Sequence, residues 1–184
     1  MRKAIICGLM VFGATLSASA QTTTLSGRLQ ISTQLSYTKT NVGLSVSAAI
    51  PAGILDWSFE NGTNAAEMTA CYVEGPATLT NSATAEYSLL ALTNCFGDAI
   101  QFARVNWFAV RAGASNAAAF SLTAVTNAVA FSSGDVEIQP SGIFFMTAPT
   151  AEGYLVSTNA HKVSLVNSTT NDLLYKIWIG GVAE

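Results

Sequence analysis

Leu29-Gln30-Ile31-Ser32-Thr33-Gln34-Leu35-Ser36-Tyr37-Thr38 decides the fold class. Leu29, Ile31, Thr33, Leu35 and Tyr37 fall on one side of a period-two pattern, and Gln30, Ser32, Gln34, Ser36 and Thr38 on the other. Only a half-buried β-strand turns that spacing into one apolar and one wet face. Val42, Leu44, Val46 and Ala48 resume the alternation after a break at Lys39-Thr40-Asn41, which predicts an early hairpin ended by Pro51 and Gly53.

Working outward, apolar or alternating runs cover 54–59, 67–73, 85–92, 100–111, 119–125, 135–138, 143–146, 153–157, 161–166 and 173–180. Turn formers separate them: Asn61-Gly62, Gly75-Pro76, Gly97-Asp98, Ser133-Gly134-Asp135, Pro140-Ser141-Gly142, Ala151-Glu152-Gly153 and Asn171-Asp172. No stretch keeps a helical period over three turns, and Gly113 makes the alanine-rich segment 112–119 a short loop. The expectation is an all-β antiparallel sandwich or jelly-roll-like domain of about ten short strands, filling residues 21–184 as one unit.

Residues 1–20 carry Arg2 and Lys3, an apolar stretch from Ala4 to Leu16, and Ala18-Ser19-Ala20 as a small-residue cleavage site. That is the pattern of a secretory signal peptide, and its apolar run is too short for a membrane span of about 20 residues. Cleavage after Ala20 leaves 164 residues with six basic and eleven acidic side chains, a net charge of −5, and no membrane insertion is expected afterwards. Charge makes up 10% of the chain, against roughly 25% in ordinary soluble domains. Serine and threonine, 35 of the 164 residues, do the solvating instead. With no Lys/Arg cluster, nucleic acid is excluded as an expected partner.

An exported chain meets an oxidising compartment, where Cys71 and Cys95 can bridge and close a 25-residue loop worth about 3 kcal/mol. Two separate buried thiols are the other reading.

Catalytic chemistry has little to stand on. His161 is the one histidine, without spaced partners for a zinc site, and reads as a surface residue. There is no nucleophile elbow and no phosphate loop. Asp56, Glu60, Glu67, Glu74 and Glu86 are the acids from which a glycosidase pair would have to come. The Asn61–Asn64 run between Glu60 and Glu67 is a poor calcium loop. No catalytic residue, metal or cofactor is expected. Asn61-Gly62-Thr63 and Asn167-Ser168-Thr169 both read as exposed loop triplets.

Residues 100–111 are apolar on both faces, which predicts a central strand covered on its second face by a loop or a neighbouring subunit. The last strand sets Tyr175, Ile177 and Ile179 against Lys176 and Trp178. Trp178, with Lys176 beside it, and Trp107 are therefore the candidate interface residues, with cover by the chain's own loops as the alternative for Trp178.

From Ala77 onward the motifs run Thr78–Leu89, Cys95-Phe96-Gly97-Asp98, Phe102-Ala103-Arg104-Val105, Val110-Arg111-Ala112, Pro140–Pro149, Glu152-Gly153-Tyr154 and Tyr175–Gly180. Over these roughly 105 residues the chain resembles a group of small β-rich virion structural proteins from tailed phages and prophage-like regions. The resemblance implies a non-enzymatic particle component, and it transfers no binding residue. The export signal departs from it, because such virion proteins assemble in the cytoplasm. The expected function is a structural or self-associating sandwich, a homo-oligomer or a partner of other structural proteins, located in a virion or secreted, periplasmic or at a cell surface. The rival is a secreted carbohydrate- or surface-binding module using rings such as Trp57, Trp178 or Tyr154.

Overall fold

The structure, a computed structural model, describes residues 27–41, 44–65, 67–94, 97–132, 134–148, 150 and 152–184, with 27–58 as backbone only. The export signal and Cys95 lie outside the described residues, and with them the proposed Cys71–Cys95 pairing.

The alternating stretch opens the fold as β1 (Gly27–Asn41), which pairs antiparallel with β2 (Leu44–Asn61). The hairpin is as expected, but two of its boundaries are not. Lys39-Thr40-Asn41 belongs to the strand, since Asn41 pairs with Leu44. Pro51 and Gly53 do not end it either. Thr33 pairs with Gly53 and Leu35 with Ile50, so β2 carries an extra residue around Pro51-Ala52. A bulge tolerates a proline because the bulged residue donates no ladder hydrogen bond. It also flips the parity of β2. Trp57 and Leu55 on one side of the bulge, and Ile50, Ala48, Val46 and Leu44 on the other, all register with the same face of β1, that of Leu29, Ile31, Leu35 and Tyr37.

The sandwich follows. β3 (Glu67–Met68) pairs parallel with the end of β2. β4 (Ala70–Leu79), β8 (Phe102–Ala112), β11 (Ile143–Thr147) and β14 (Leu173–Ala183) form a sheet in the order β11-β8-β14-β4, with β12 (Tyr154–Leu155) also on β8. β5 (Thr84–Ser88), β9 (Phe120–Leu122), β10 (Val136–Ile138) and β13 (Lys162–Val166) form the second, ordered β10-β9-β13-β5. A small pair, β6 (Leu92–Thr93) with β7 (Ala99–Ile100), completes fourteen described strands. Apart from β2 with β3, every strand pair is antiparallel, and the described helix is a single 3-10 turn at Ala130–Ser132. Segment 113–119 is a loop, as its Gly113 implies.

The two sheets close on one apolar core. Phe108, Val110, Ile177 and Ile179 from one meet Tyr87, Phe120, Leu122, Val163 and Leu165 from the other, all nearly or fully buried. Gly75-Pro76, expected as a turn, is instead a bulge within β4, where the register steps between Tyr175 and Ile177. β4 is an edge strand, so a proline there costs no ladder bond on its open side.

Asn167 departs furthest from expectation. Its triplet reads as an exposed loop, yet Asn167 is buried. Its Nδ2 donates to the carbonyls of Leu79 (3.1 Å), Thr80 (3.0 Å) and Asn171 (2.7 Å). Its Oδ1 accepts from the Thr169 backbone N–H and hydroxyl. One amide thus ties the end of β4 to the β13–β14 connection. Asn167→Ala strands several buried carbonyls, and unpaired polar groups cost about 1–3 kcal/mol each. The variant should lose about 3 kcal/mol in chemical denaturation.

Candidate functional site

The alternation of β14 splits its residues between two environments. Leu173, Tyr175, Ile177 and Ile179 point into the core, leaving Leu174, Lys176, Trp178 and Gly180 on the outer face of the five-stranded sheet. Register then assembles that face row by row. Val73, Trp178, Ala109 and Phe145 lie side by side across β4, β14, β8 and β11. The next row is Lys176, Arg111 and Ile143. The row on the other side is Cys71, Gly180, Trp107 and Thr147.

All three candidate interface residues therefore share one face, as β-alternation requires. Trp178 is half-buried, and Ala109 between it and Phe145 keeps only 4% of its surface exposed. Around them the face is open and apolar, with Val73 48%, Ile143 61% and Leu174 39% exposed. Lys176 sits directly opposite Arg111, a like-charge juxtaposition that destabilises a sheet. Among the described residues neither cation has an acidic partner; the ion pair present is Lys162 with Glu86 at 2.9 Å. A hollow of about 320 Å³, lined by Pro76, Arg111, Gly113, Leu174 and Lys176, lies at the same end of the face.

Trp107 is different. β8 is central, as expected, and the cover on its outer face comes from the chain itself. Phe59 of β2, 2% exposed, tilts against the indole with ring centres 6.3 Å apart. The indole lies across Gly180, where a side chain would collide with it. Its Nε1 is buried without a hydrogen-bond partner. The root of the β1–β2 ribbon is thus seated on this face. The Asn106 side chain holds the segment that follows β2 by donating to the Glu67 carbonyl, and Arg104 donates to the carbonyls of Thr63 and Asn64.

A second feature lies between the sheet edges, where β4 and β5 both lack an outer neighbour. A cleft of about 550 Å³ opens there, lined by Tyr72, Glu74, Glu86, Tyr87, Ser88 and Tyr175 among others. Tyr72 donates to Glu74 Oε2 at 2.5 Å, and the Tyr87 and Tyr175 hydroxyls meet at 2.5 Å. Burial, reinforced by neighbouring Glu74, pushes the phenols of Tyr72, Tyr87 and Tyr175 above their ordinary pKa of 10.0. Of the five acids singled out in the sequence, Glu74 and Glu86 line this cleft together. Glu67 lies elsewhere, its Oε2 accepting from the Asn64 N–H at 2.6 Å.

The raised phenols fix a pH dependence. A phenol whose folded pKa is above its unfolded value contributes stability that is full below pH 10 and is lost as pH rises beyond it. An alkaline titration followed at 295 nm should show these three tyrosines ionising only together with loss of near-ultraviolet dichroism. Smooth ionisation of all five tyrosines near pH 10, with the fold intact, would contradict the buried network.

His161 is partly exposed, its Nδ1 at 3.2 Å from the Ser157 carbonyl. Among the described residues no group of three His, Cys, Asp or Glu side chains could hold a metal ion, and no helix is long and apolar enough to cross a membrane. Tyr154 packs edge-on against Phe131 at 5.4 Å, half-buried rather than offered as a free platform. The side chain of Trp57 lies outside the described residues. Compared with known proteins, the chain matches no family model, no curated protein and no solved structure.

Proposed function

We propose that this is a non-enzymatic structural protein, exported and self-associating, whose assembly runs through the outer face of the five-stranded sheet. One observation carries the reading: Val73, Trp178, Ala109 and Phe145 make a contiguous apolar row across a strand-flat surface, with Ile143 next to Phe145 on the same face. Scattered apolar residues on a surface mean nothing, whereas a contiguous field marks an interaction site. Interface cores are also poor in charge, and this face confines its cations, Lys176 and Arg111, to the one row between Trp178 and Leu174. Light scattering on the mature chain between micromolar and millimolar concentration tests the reading, and a concentration-dependent oligomer is expected. A monomer throughout would sink it.

A second reading rests on the tyrosine cleft. Aromatic rings beside a carboxylate and hydroxyls suit a neutral polyol, so a secreted carbohydrate-binding module is the alternative. It expects a glycan-array signal that Tyr72→Ala abolishes.

A further inference from the structure

We infer that the apolar face of the β1–β2 ribbon from a second copy of this chain covers the outer sheet face, each copy lending its ribbon to the other. The inference rests on the self-association reading above and names its occupant.

Three observations converge. The register of the ribbon, with its bulge at Pro51-Ala52, gathers Leu29, Ile31, Leu35, Leu55, Ile50 and Val46 on one face, with Lys39 near the tip, and leaves Gln30, Ser32, Ser36, Thr38, Ser45 and Ser47, with Ile54, on the other. A bulge that realigns the parity of one strand so that both strands present apolar residues on the same side makes a surface that must be buried. A two-stranded ribbon alone is marginal in water, and among the described strands β1 and β2 pair, beyond each other, with the two-residue β3 alone.

The sheet face has the opposite deficit. Val73, Ile143 and Leu174 keep 39–61% of their surface open, so the chain's own ribbon does not cover them. Chemistry joins the two surfaces: Phe59 registers with Gly27 on the ribbon's apolar face, and it is already buried against Trp107 on this same sheet face. The contact that the ribbon root makes within one chain is the one its outer length can repeat on another.

The dimensions agree. Fourteen paired positions at about 3.3 Å each give a ribbon of about 45 Å, with a face about 10 Å wide. A reciprocal pair of such contacts removes about 1,800 Å² from water, within the range of stable dimers, whereas a single contact removes about 900 Å² and falls short. Reciprocity also closes the assembly as a two-fold dimer and avoids an open filament.

The test uses full-length mature chains in light scattering at tens of micromolar. Wild type is expected as a dimer. Ile31→Asp, on the ribbon's apolar face, should be monomeric, and Ser32→Asp, on the other face, should remain a dimer. Trp178→Asp keeps an intact ribbon but a spoiled sheet face, so it should be monomeric too. A dimer indifferent to Ile31→Asp overturns the ribbon while leaving self-association standing. A monomeric wild type overturns both. If Ile31→Asp fails to fold, hydrogen exchange on the wild type decides: amides of 28–41 should gain protection as concentration crosses the dimerisation range, and concentration-independent exchange there counts against the inference.

Discussion

Gly181→Ala should cost this protein about 4 kcal/mol or more, a large share of the 5–15 kcal/mol that holds a domain folded. Gly181 registers with Val105 where β14 steps past β8, and a methyl group there would overlap the carbonyl oxygen of Arg104. Both partners are backbone in the two central strands of the five-stranded sheet, so neither can move without opening the ladder. Its neighbour provides the control. A methyl group on Gly180 would meet the indole of Trp107, which is a side chain and can give way by repacking against Phe59. Overpacking of that kind costs about 1–3 kcal/mol. Urea denaturation should therefore rank wild type above Gly180→Ala and Gly180→Ala well above Gly181→Ala. Equal stability of the two variants would mean that β8 and β14 do not approach as described.

The Gly180-Gly181 pair also marks the limit of sequence reading. Period two in Leu29–Thr38 and in Leu173–Ile179 is a one-dimensional signal, and it correctly separates the inward Tyr175, Ile177 and Ile179 from the outward Lys176 and Trp178. It also anticipates β8 as a strand buried on both sides. What it cannot carry is anything set by a partner strand far away in sequence. Pro51 reads as a stop because local chemistry makes it one, and only the pairing of Leu35 with Ile50 turns it into a bulge. Asn167 reads as an exposed loop residue because the carbonyls that bury it belong to Leu79 and Thr80, nearly ninety positions earlier. The cleft draws Tyr72, Tyr87 and Tyr175 from β4, β5 and β14. A signal was present, since each tyrosine occupies an inward position of its strand, but convergence of the three needs the strand order. The outer face is the intermediate case: alternation nominates Trp178, and register alone adds Val73, Phe145 and Ile143.

Trp178→Asp is the sharpest probe of that face. The substitution should abolish self-association while leaving the far-ultraviolet dichroism of the chain nearly unchanged. Burying an indole in an interface contributes about 1.5–3 kcal/mol through its apolar area. Drawing a carboxylate out of water instead costs several kcal/mol even where cations stand close, because desolvation of both partners opposes their attraction. Together these weaken association by at least 3 kcal/mol, more than a hundredfold in dissociation constant. In the monomer the balance differs. Trp178 is only half-buried, and its same-face neighbour in β14 is Lys176, opposite Arg111, so an aspartate there remains in contact with water and relieves the like-charge pair. The loss of cover over Ala109 is a partial cavity at the surface, at a cost of about 1 kcal/mol. A variant that instead unfolds would make Trp178 a core residue held by its own chain, and the interface would have to lie elsewhere. A variant that associates as tightly as wild type would remove this face from the assembly altogether. Sedimentation velocity and thermal denaturation on the same samples separate these outcomes, since one reads the partner and the other reads the fold.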